Sequence, residues 1–479
     1  MSHTEQILAC SAGELAALIR AGEVSPLESI DASLQRIEEI NPALNAFTAI
    51  YREDARREAL AAQARLRAGE PAGPLLGVPV AIKDMTPIKG KVTTLGSRAF
   101  EHHVPDKDAW VVTALRKSGA IIVGKTTTPE FAHSSFTHSP LAGVTRNPWD
   151  PSRTPGGSSG GSAVAVATGA VPLAEGTDMG GSIRIPAALC GVVGLKPSLG
   201  RVPLDILPST FDDISHMGPL ARSCEDAALF LSVTQGPDDC DIQSIPAPFD
   251  YRGTLDIDPR PLRIALSPDL GFYAVDEAVE RNTRAAAECL RQAGATVEAV
   301  DLNWSTDILA VWMDYWRVFM AAYYGSAYDR QAQALDPAVR ALIEQGRTIS
   351  AVHYKQLEIE RTRFWHGFCR SLQGYDALIC PTTAVPAPSL ELNDRDFGRT
   401  GPDGRYAGLD MTSPFNLIGQ CPALSVPSGW SPSGCPTGLQ IIGRRHADLD
   451  VLRIGALLEK HLGADLRRPV PRFSADGRA

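Results

Sequence analysis

The feature that most constrains the fold is a change of texture near residue 70, where helical patterning gives way to short apolar runs alternating with helices. Residues 78–82 read as a strand that ends at Lys83. Residues 108–118 read as a helix, 120–123 as a strand, 162–168 as a helix and 192–195 as a buried strand. Further on, 262–266, 276–292 and 296–300 form another strand-helix-strand unit, and apolar runs recur at 377–379 and 423–426. Strands alternating with helices predict an α/β fold, an α/β/α sandwich around a mixed, mainly parallel sheet.

Helices come first. Ser11 with Glu14 is a capping box ahead of an apolar stretch, and Gly22 is placed to end that helix. Ser25-Pro26-Leu27-Glu28 repeats the device and predicts a helix to about Ile40, stopped by Asn41-Pro42. A third helix is expected over 54–67. No repeat or low-complexity tract breaks the 479 residues, so a single domain over 1–479 is expected. Within it lie N-terminal helices (1–70), a core (71–235), a Pro- and Asp-rich connection (236–261), and a remainder (262–479) with an aromatic helical insertion at 303–372. Residues 393–410 read as a polar loop.

A formal charge of −9, from 46 basic and 55 acidic side chains, offers no broad cationic surface for nucleic acid or anionic lipid. The opening Met-Ser-His-Thr-Glu lacks a basic stretch followed by an apolar one, so no secretion leader is expected. The small-apolar segment 163–174 is too short to span a bilayer. Nine scattered cysteines without a CxxC pair predict reduced thiols, a cytoplasmic compartment and no cysteine metal site.

The chemistry concentrates in residues 154–196, where two glycine-flanked serine clusters occur: Gly157-Ser158-Ser159-Gly160 and Gly180-Gly181-Ser182. Glycine permits backbone geometries that turn several N–H groups toward one point, so Met179, Gly180, Gly181 and Ser182 are candidates for an oxyanion hole. A serine hydroxyl needs a base to attack a carbonyl. None of the ten histidines forms an evident pair with an acid, whereas Lys83 ends an apolar strand. Burial could lower its pKa enough for it to serve as a neutral amine.

These residues lie in strings, VPVAIKD (78–84), GGSSGGS (156–162) and GTDMGGSIRIP (176–186), that closely resemble the amidase signature family of serine hydrolases. The resemblance extends through NPWDPSRTPGG, GLKPS, GPLARS, LICPTTAVPAP, SPFNLIGQCPALSVPSG and GLQIIG, and so over most of the chain. It implies the amidase signature fold. It also implies a triad of Ser182 as acyl-forming nucleophile, Ser158 as bridging serine with a cis peptide bond, and Lys83 as general base. By the same resemblance Ser159, Asp178 and Arg184 support the site, the last two as an ion pair. No metal or cofactor is implied. The residues alone leave open whether Ser158 or Ser159 relays the proton.

Other motifs weigh less. Residues 119–126 satisfy the letter of a phosphate-binding loop, but the four middle residues read as a strand and Pro129 interrupts the following helix, so nucleotide binding is not expected. His133 and His138 lie in a polar loop; a solvated or local role competes with one in the substrate pocket, to which Ala132, His133 and Ser134 are assigned. His102 and His103 are expected in solvent. Of the rings between Trp304 and Tyr324, roughly half are expected in helical core, and some of the others are expected to wall a pocket for an aryl or alkyl group.

The expected function is hydrolysis of small or medium, apolar or aryl amides, with esters and carbamates as further acyl donors. The alternative is the glutaminase component of a tRNA-dependent amidotransferase; a catalytically dead scaffold is disfavoured because all three catalytic positions are filled. The expected partner is a small-molecule amide, with neither nucleic acid nor membrane, in a monomer or homodimer.

Overall fold

Local capping signals set the first helices. In the computed structural model, which describes residues 2–462, helix Ala12–Ala21 begins at a capping box. There Glu14 N–H donates to Ser11 Oγ at 3.1 Å and Ser11 N–H donates to the Glu14 carboxylate at 2.8 Å. Gly22, at φ 76°, closes it in the left-handed conformation. The second box starts helix Pro26–Leu44, which runs past its expected end near Ile40. Pro42 lies inside the helix, in its last turn, with only Ala43 and Leu44 after it before the left-handed cap at Asn45. Asn41, read as the stop, instead caps the departing chain: its Oδ1 accepts the N–H groups of Ala46 and Phe47, each at 2.8 Å.

Eleven strands form one sheet. They are β1 (Phe47–Ile50), β2 (Pro79–Lys83), β3 (Ile121–Thr126), β4 (Leu173–Asp178), β5 (Val193–Lys196), β6 (His216–Ala221), β7 (Arg263–Leu266), β8 (Thr296–Ala299), β9 (Ala377–Pro381), β10 (Ala423–Trp430) and β11 (Pro436–Gly443). Their spatial order is β1-β3-β2-β4-β6-β5-β10-β11-β9-β7-β8. The sheet is mixed, and its parallel pairs, β2 with β3 and β4 and β7 with β8 and β9, lie in the two regions where strand-helix alternation is clearest. Its centre, from β4 through β6, β5, β10 and β11 to β9, is antiparallel where a mainly parallel order was expected. For β10 and β11 the cause is connection length. A five-residue link joins β10 to β11, enough for a hairpin and too short for a crossover.

Side-chain alternation divides the sheet's two faces. Val80 and Ile82 pack in one cluster with helices Trp110–Lys117, Cys224–Thr234, Glu277–Ala293 and Asp448–Leu462. Ala81 faces the other way, into a cluster with helices Pro26–Leu44, Arg52–Arg67, Gly160–Ala167 and Arg184–Cys190. At the far end Ala377 and Ile379 join the first cluster, while Leu378 and Cys380 pack against helices Asp307–Gln331 and Ala351–Ser371. Three layers result. The connection over 236–261 carries no helix or strand, and 303–372 is helical, with Pro337–Thr348 between the two long helices.

Parallel pairing of β2 and β4 brings their carboxyl ends to one edge, the usual place for a site in such folds. Lys83 ends β2, and the segment 179–182 leaves β4.

The N-terminal helices are tied to this body through Asp226, 2% exposed, whose carboxylate accepts the N–H groups of Ala12 at 2.9 Å and Gly13 at 3.1 Å. Replacing Asp226 with alanine orphans those donors and should lower stability by about 1–3 kcal/mol. Urea unfolding followed by circular dichroism checks this; an unchanged midpoint would show that the tether contributes nothing.

Candidate active site

Lys83 is wholly buried, and its Nζ lies 2.6 Å from Ser158 Oγ and 2.8 Å from Thr177 Oγ1. Its backbone N–H donates to Glu175 Oε2 at 3.0 Å. Burial disfavours the ammonium and lowers its pKa to about 7, against an upward pull from the Glu175 and Asp178 carboxylates. Asp84, next in sequence, does not pair with Lys83; it lies 3.5 Å from Lys125 on β3.

Ser158 follows a cis peptide bond from Gly157, at the start of the turn into helix Gly160–Ala167. Sequence left Ser158 and Ser159 undecided, and geometry separates them. The Ser158 hydroxyl touches the amine, whereas Ser159 braces neighbouring backbone: its Oγ donates to Thr177 C=O at 3.4 Å and its N–H to Ser182 C=O at 3.1 Å.

Asp178, the last residue of β4, meets Arg184 in a fully buried ion pair at 2.9 Å. Both guanidinium contacts on the carboxylate are 2.9 Å, and Asn416 Nδ2 donates to it at 3.0 Å. Burial pushes the Asp178 carboxyl up, but the charge and hydrogen bonds of Arg184 and the Asn416 amide outweigh it and hold the group well below the usual carboxylate range. Arg184 also donates to Thr412 C=O, Gln440 Oε1 and Asn416 Oδ1. Of the four N–H groups expected to converge on an oxyanion, that of Gly181 is committed elsewhere. It donates to Asp178 Oδ1 at 2.8 Å.

Met179, Gly180 and Ser182 line a cavity of about 620 Å³, and so do Ala132, His133 and Ser134. His133 turns Nδ1 to Glu130 C=O at 2.8 Å, and Ser134 Oγ donates to Asp394 at 2.5 Å. His138, His102 and His103 are exposed. Rings of Tyr273, Trp312, Trp316, Phe397 and Tyr406 give much of the wall. Tyr324, from the same helix as the two tryptophans, instead stacks on Phe131 with centroids 4.0 Å apart.

The phosphate-loop look-alike is strand: Lys125 lies inside β3 and its buried Nζ donates to Thr86 C=O at 2.5 Å and Thr93 Oγ1 at 3.0 Å. Among the described residues no group of three His, Cys, Asp or Glu side chains is placed to hold a metal ion, and no helix is long and apolar enough to cross a membrane. Sequence reading missed Thr177, Thr412, Asn416 and Gln440. Thr177, Asn416 and Gln440 lie inside the family-like strings at 176–186, 413–429 and 438–443, and Thr412 directly before the second, but nothing in those strings assigned them a role.

The Amidase family model matches residues 28–452. The chain is 36% identical over 456 residues to the acylamidase of Rhodococcus erythropolis, covering 94% of each protein. It is 37% identical over 487 residues to a glutamyl-tRNA(Gln) amidotransferase subunit from Roseiflexus castenholzii (strain DSM 13941 / HLO8), covering 96% of this chain and 97% of that one. Its fold superposes on the crystal structure of a bacterial aryl acylamidase of the amidase signature family with a TM-score of 0.88 at 31% identity, covering 94% and 96% of the two chains. The chain therefore belongs to the amidase signature family, enzymes that hydrolyse amide C–N bonds.

Proposed function

We propose that this chain, acting as one amidase domain, hydrolyses small to medium carboxylic amides with apolar or aryl groups through an acyl-enzyme on Ser182. The observation that carries the reading is the 2.6 Å contact between a buried Lys83 amine and the Ser158 hydroxyl, beside a ring-walled cavity that Ser182 lines. Neutral Lys83 takes the Ser158 proton as Ser158 takes that of Ser182, and Ser182 Oγ attacks the carbonyl carbon. The N–H groups of Met179, Gly180 and Ser182 receive the oxyanion. The proton returns along the same path to the leaving amine, and water, activated in turn by the relay, releases the acid. Esters and carbamates present the same carbonyl and fall within this chemistry.

Glutaminase activity within an amidotransferase is the second reading, because similarity to the amidotransferase relative matches that to acylamidase in identity and coverage. The cavity favours the first. Rings of Trp312, Trp316, Tyr273 and Tyr406 suit an apolar substituent better than the charged ends of glutamine. A panel of anilides, aliphatic amides, carbamates and glutamine separates them; glutamine turnover that appears only with partner proteins of an amidotransferase supports the second.

Two outcomes test the triad. Ser182→Ala should lower kcat on the best anilide by about 10⁴-fold or more with an unchanged melting temperature. Residual turnover near the parent rate would remove Ser182 from the chemistry. The pH dependence follows from Lys83, whose protonated form has no lone pair to offer. With its pKa lowered to about 7, kcat/KM should fall about tenfold per pH unit well below that value and level off above it. Lys83→Ala should be slow and should lose that inflection; an inflection that survives there belongs to another group.

A further inference from the structure

We infer that Trp312 and Thr412 are positioning residues for the oxyanion segment: Trp312, from the helix that also walls the substrate cavity, aims the Gly180 N–H, and Thr412 holds the peptide that lies between the Gly180 and Ser182 donors. The inference rests on the acyl-enzyme reading above and deepens it. Four carbonyls in the 179–182 segment are each engaged. Trp312 Nε1–H donates to Met179 C=O at 2.9 Å, and Thr412 Oγ1–H donates to Gly180 C=O at 2.6 Å. Ile185 N–H donates to Gly181 C=O at 2.7 Å, and Ser159 N–H to Ser182 C=O at 3.1 Å. In a trans peptide the C=O and the following N–H point opposite ways, so pinning a carbonyl aims the next N–H.

The peptide from Gly180 to Gly181 is fixed at both ends, by Thr412 on its carbonyl and Asp178 on its N–H. The peptide from Gly181 to Ser182 is held by the short helix that follows. The peptide from Met179 to Gly180 depends on Trp312, which thereby turns the Gly180 N–H away from the indole. Contact reinforces the bond. A Cβ on Gly180 would sit 2.3 Å from Trp312 Cζ2, and one on Gly181 would sit 1.9 Å from Thr412 Oγ1. The indole and the hydroxyl thus occupy the space that a side chain at either glycine would need.

Trp312 lies on helix Asp307–Gln331, and with Trp316 it lines the cavity. The ring that a bound acyl or aryl group would touch is therefore the ring that orients a donor. A wall residue changes binding; a donor-aiming residue changes transition-state stabilisation at similar ground-state binding.

The test uses Trp312→Phe, which keeps a ring and removes the N–H, with Thr412→Val and its conservative counterpart Thr412→Ser. Steady-state kinetics on the fastest anilide are paired with inhibition by phenylboronic acid, which a serine oxygen converts to a tetrahedral adduct. Trp312→Phe and Thr412→Val should each lower kcat by about 10- to 100-fold with KM within about threefold, while Thr412→Ser stays near the parent. Inhibitor affinity should weaken in step with kcat/KM. Parent kcat in Trp312→Phe, or a raised KM at parent kcat, would overturn the inference and leave the indole as wall alone. If urea unfolding shows Trp312→Phe to be misfolded, the Thr412 pair decides: Thr412→Val at parent kcat overturns it. Failure of the underlying reading is separate, since it would show as turnover retained by Ser182→Ala.

Discussion

An amine held in dry protein against a hydroxyl is the contact on which the rest of this molecule turns. In water a lysine amine is protonated near neutrality and has no lone pair with which to take a serine proton. Here the desolvation of Lys83 is set against the charges of Glu175 and Asp178, and the balance falls on the side of burial. Arg184 has a part in that balance. By pairing with Asp178 it draws that carboxylate's field onto itself, and four further hydrogen bonds around the pair keep both charges satisfied where no water reaches. An unpaired carboxylate there would favour the ammonium, and the proposed proton path would close.

The fold exists, in this light, to hold three backbone segments at one edge. Parallel β2 and β4 deliver Lys83 and the 179–182 segment, and the turn into helix Gly160–Ala167 delivers Ser158. Antiparallel β6 then crosses β4 over its whole length, from Leu173 opposite Ala221 to Asp178 opposite His216. That pairing fixes the end of β4, which a purely parallel neighbour with a long crossover would leave to its connection. The departure from a mainly parallel sheet therefore falls where the site needs a rigid strand end.

What sequence made legible was local or periodic. Capping boxes at Ser11 and Ser25, the apolar run before Lys83 and the glycines around Ser158 and Ser182 act through neighbours within a few residues, so their signals survive in one dimension. Pro42 misled because a proline does not by itself end a helix; this one sits inside the helix, two residues before its end. Gly181 misled because glycine advertises a turn without saying what the freed N–H will find; it finds Asp178. Thr412, Asn416, Gln440 and Trp312 act across more than a hundred residues on side chains or carbonyls of the 178–184 segment. None carries a distinctive residue type at a distinctive spacing. Their meaning is created by the tertiary fold, which brings β11 with Gln440, the segment before β10 with Thr412 and Asn416, and helix Asp307–Gln331 with Trp312 to the end of β4.

Relatives of this chain carry names as different as acylamidase and glutamyl-tRNA(Gln) amidotransferase. One edge of sheet can serve both if the groups that move protons are kept apart from the groups that choose substrate. In this chain the separation holds for most of the cavity: Tyr273, Phe397 and Tyr406 belong to connections beyond β7 and β9 and reach no residue of the 179–182 segment through a hydrogen bond. Trp312 is the exception, since it faces the cavity and grips Met179 at once. Changes to the 303–372 helices that move its backbone would alter how the oxyanion segment is held as well as the shape of the wall. Selectivity in this enzyme is therefore easier to change through the loop holding Phe397 and Tyr406 than through the helix holding Trp312, because only the helix is bonded to the proposed chemistry.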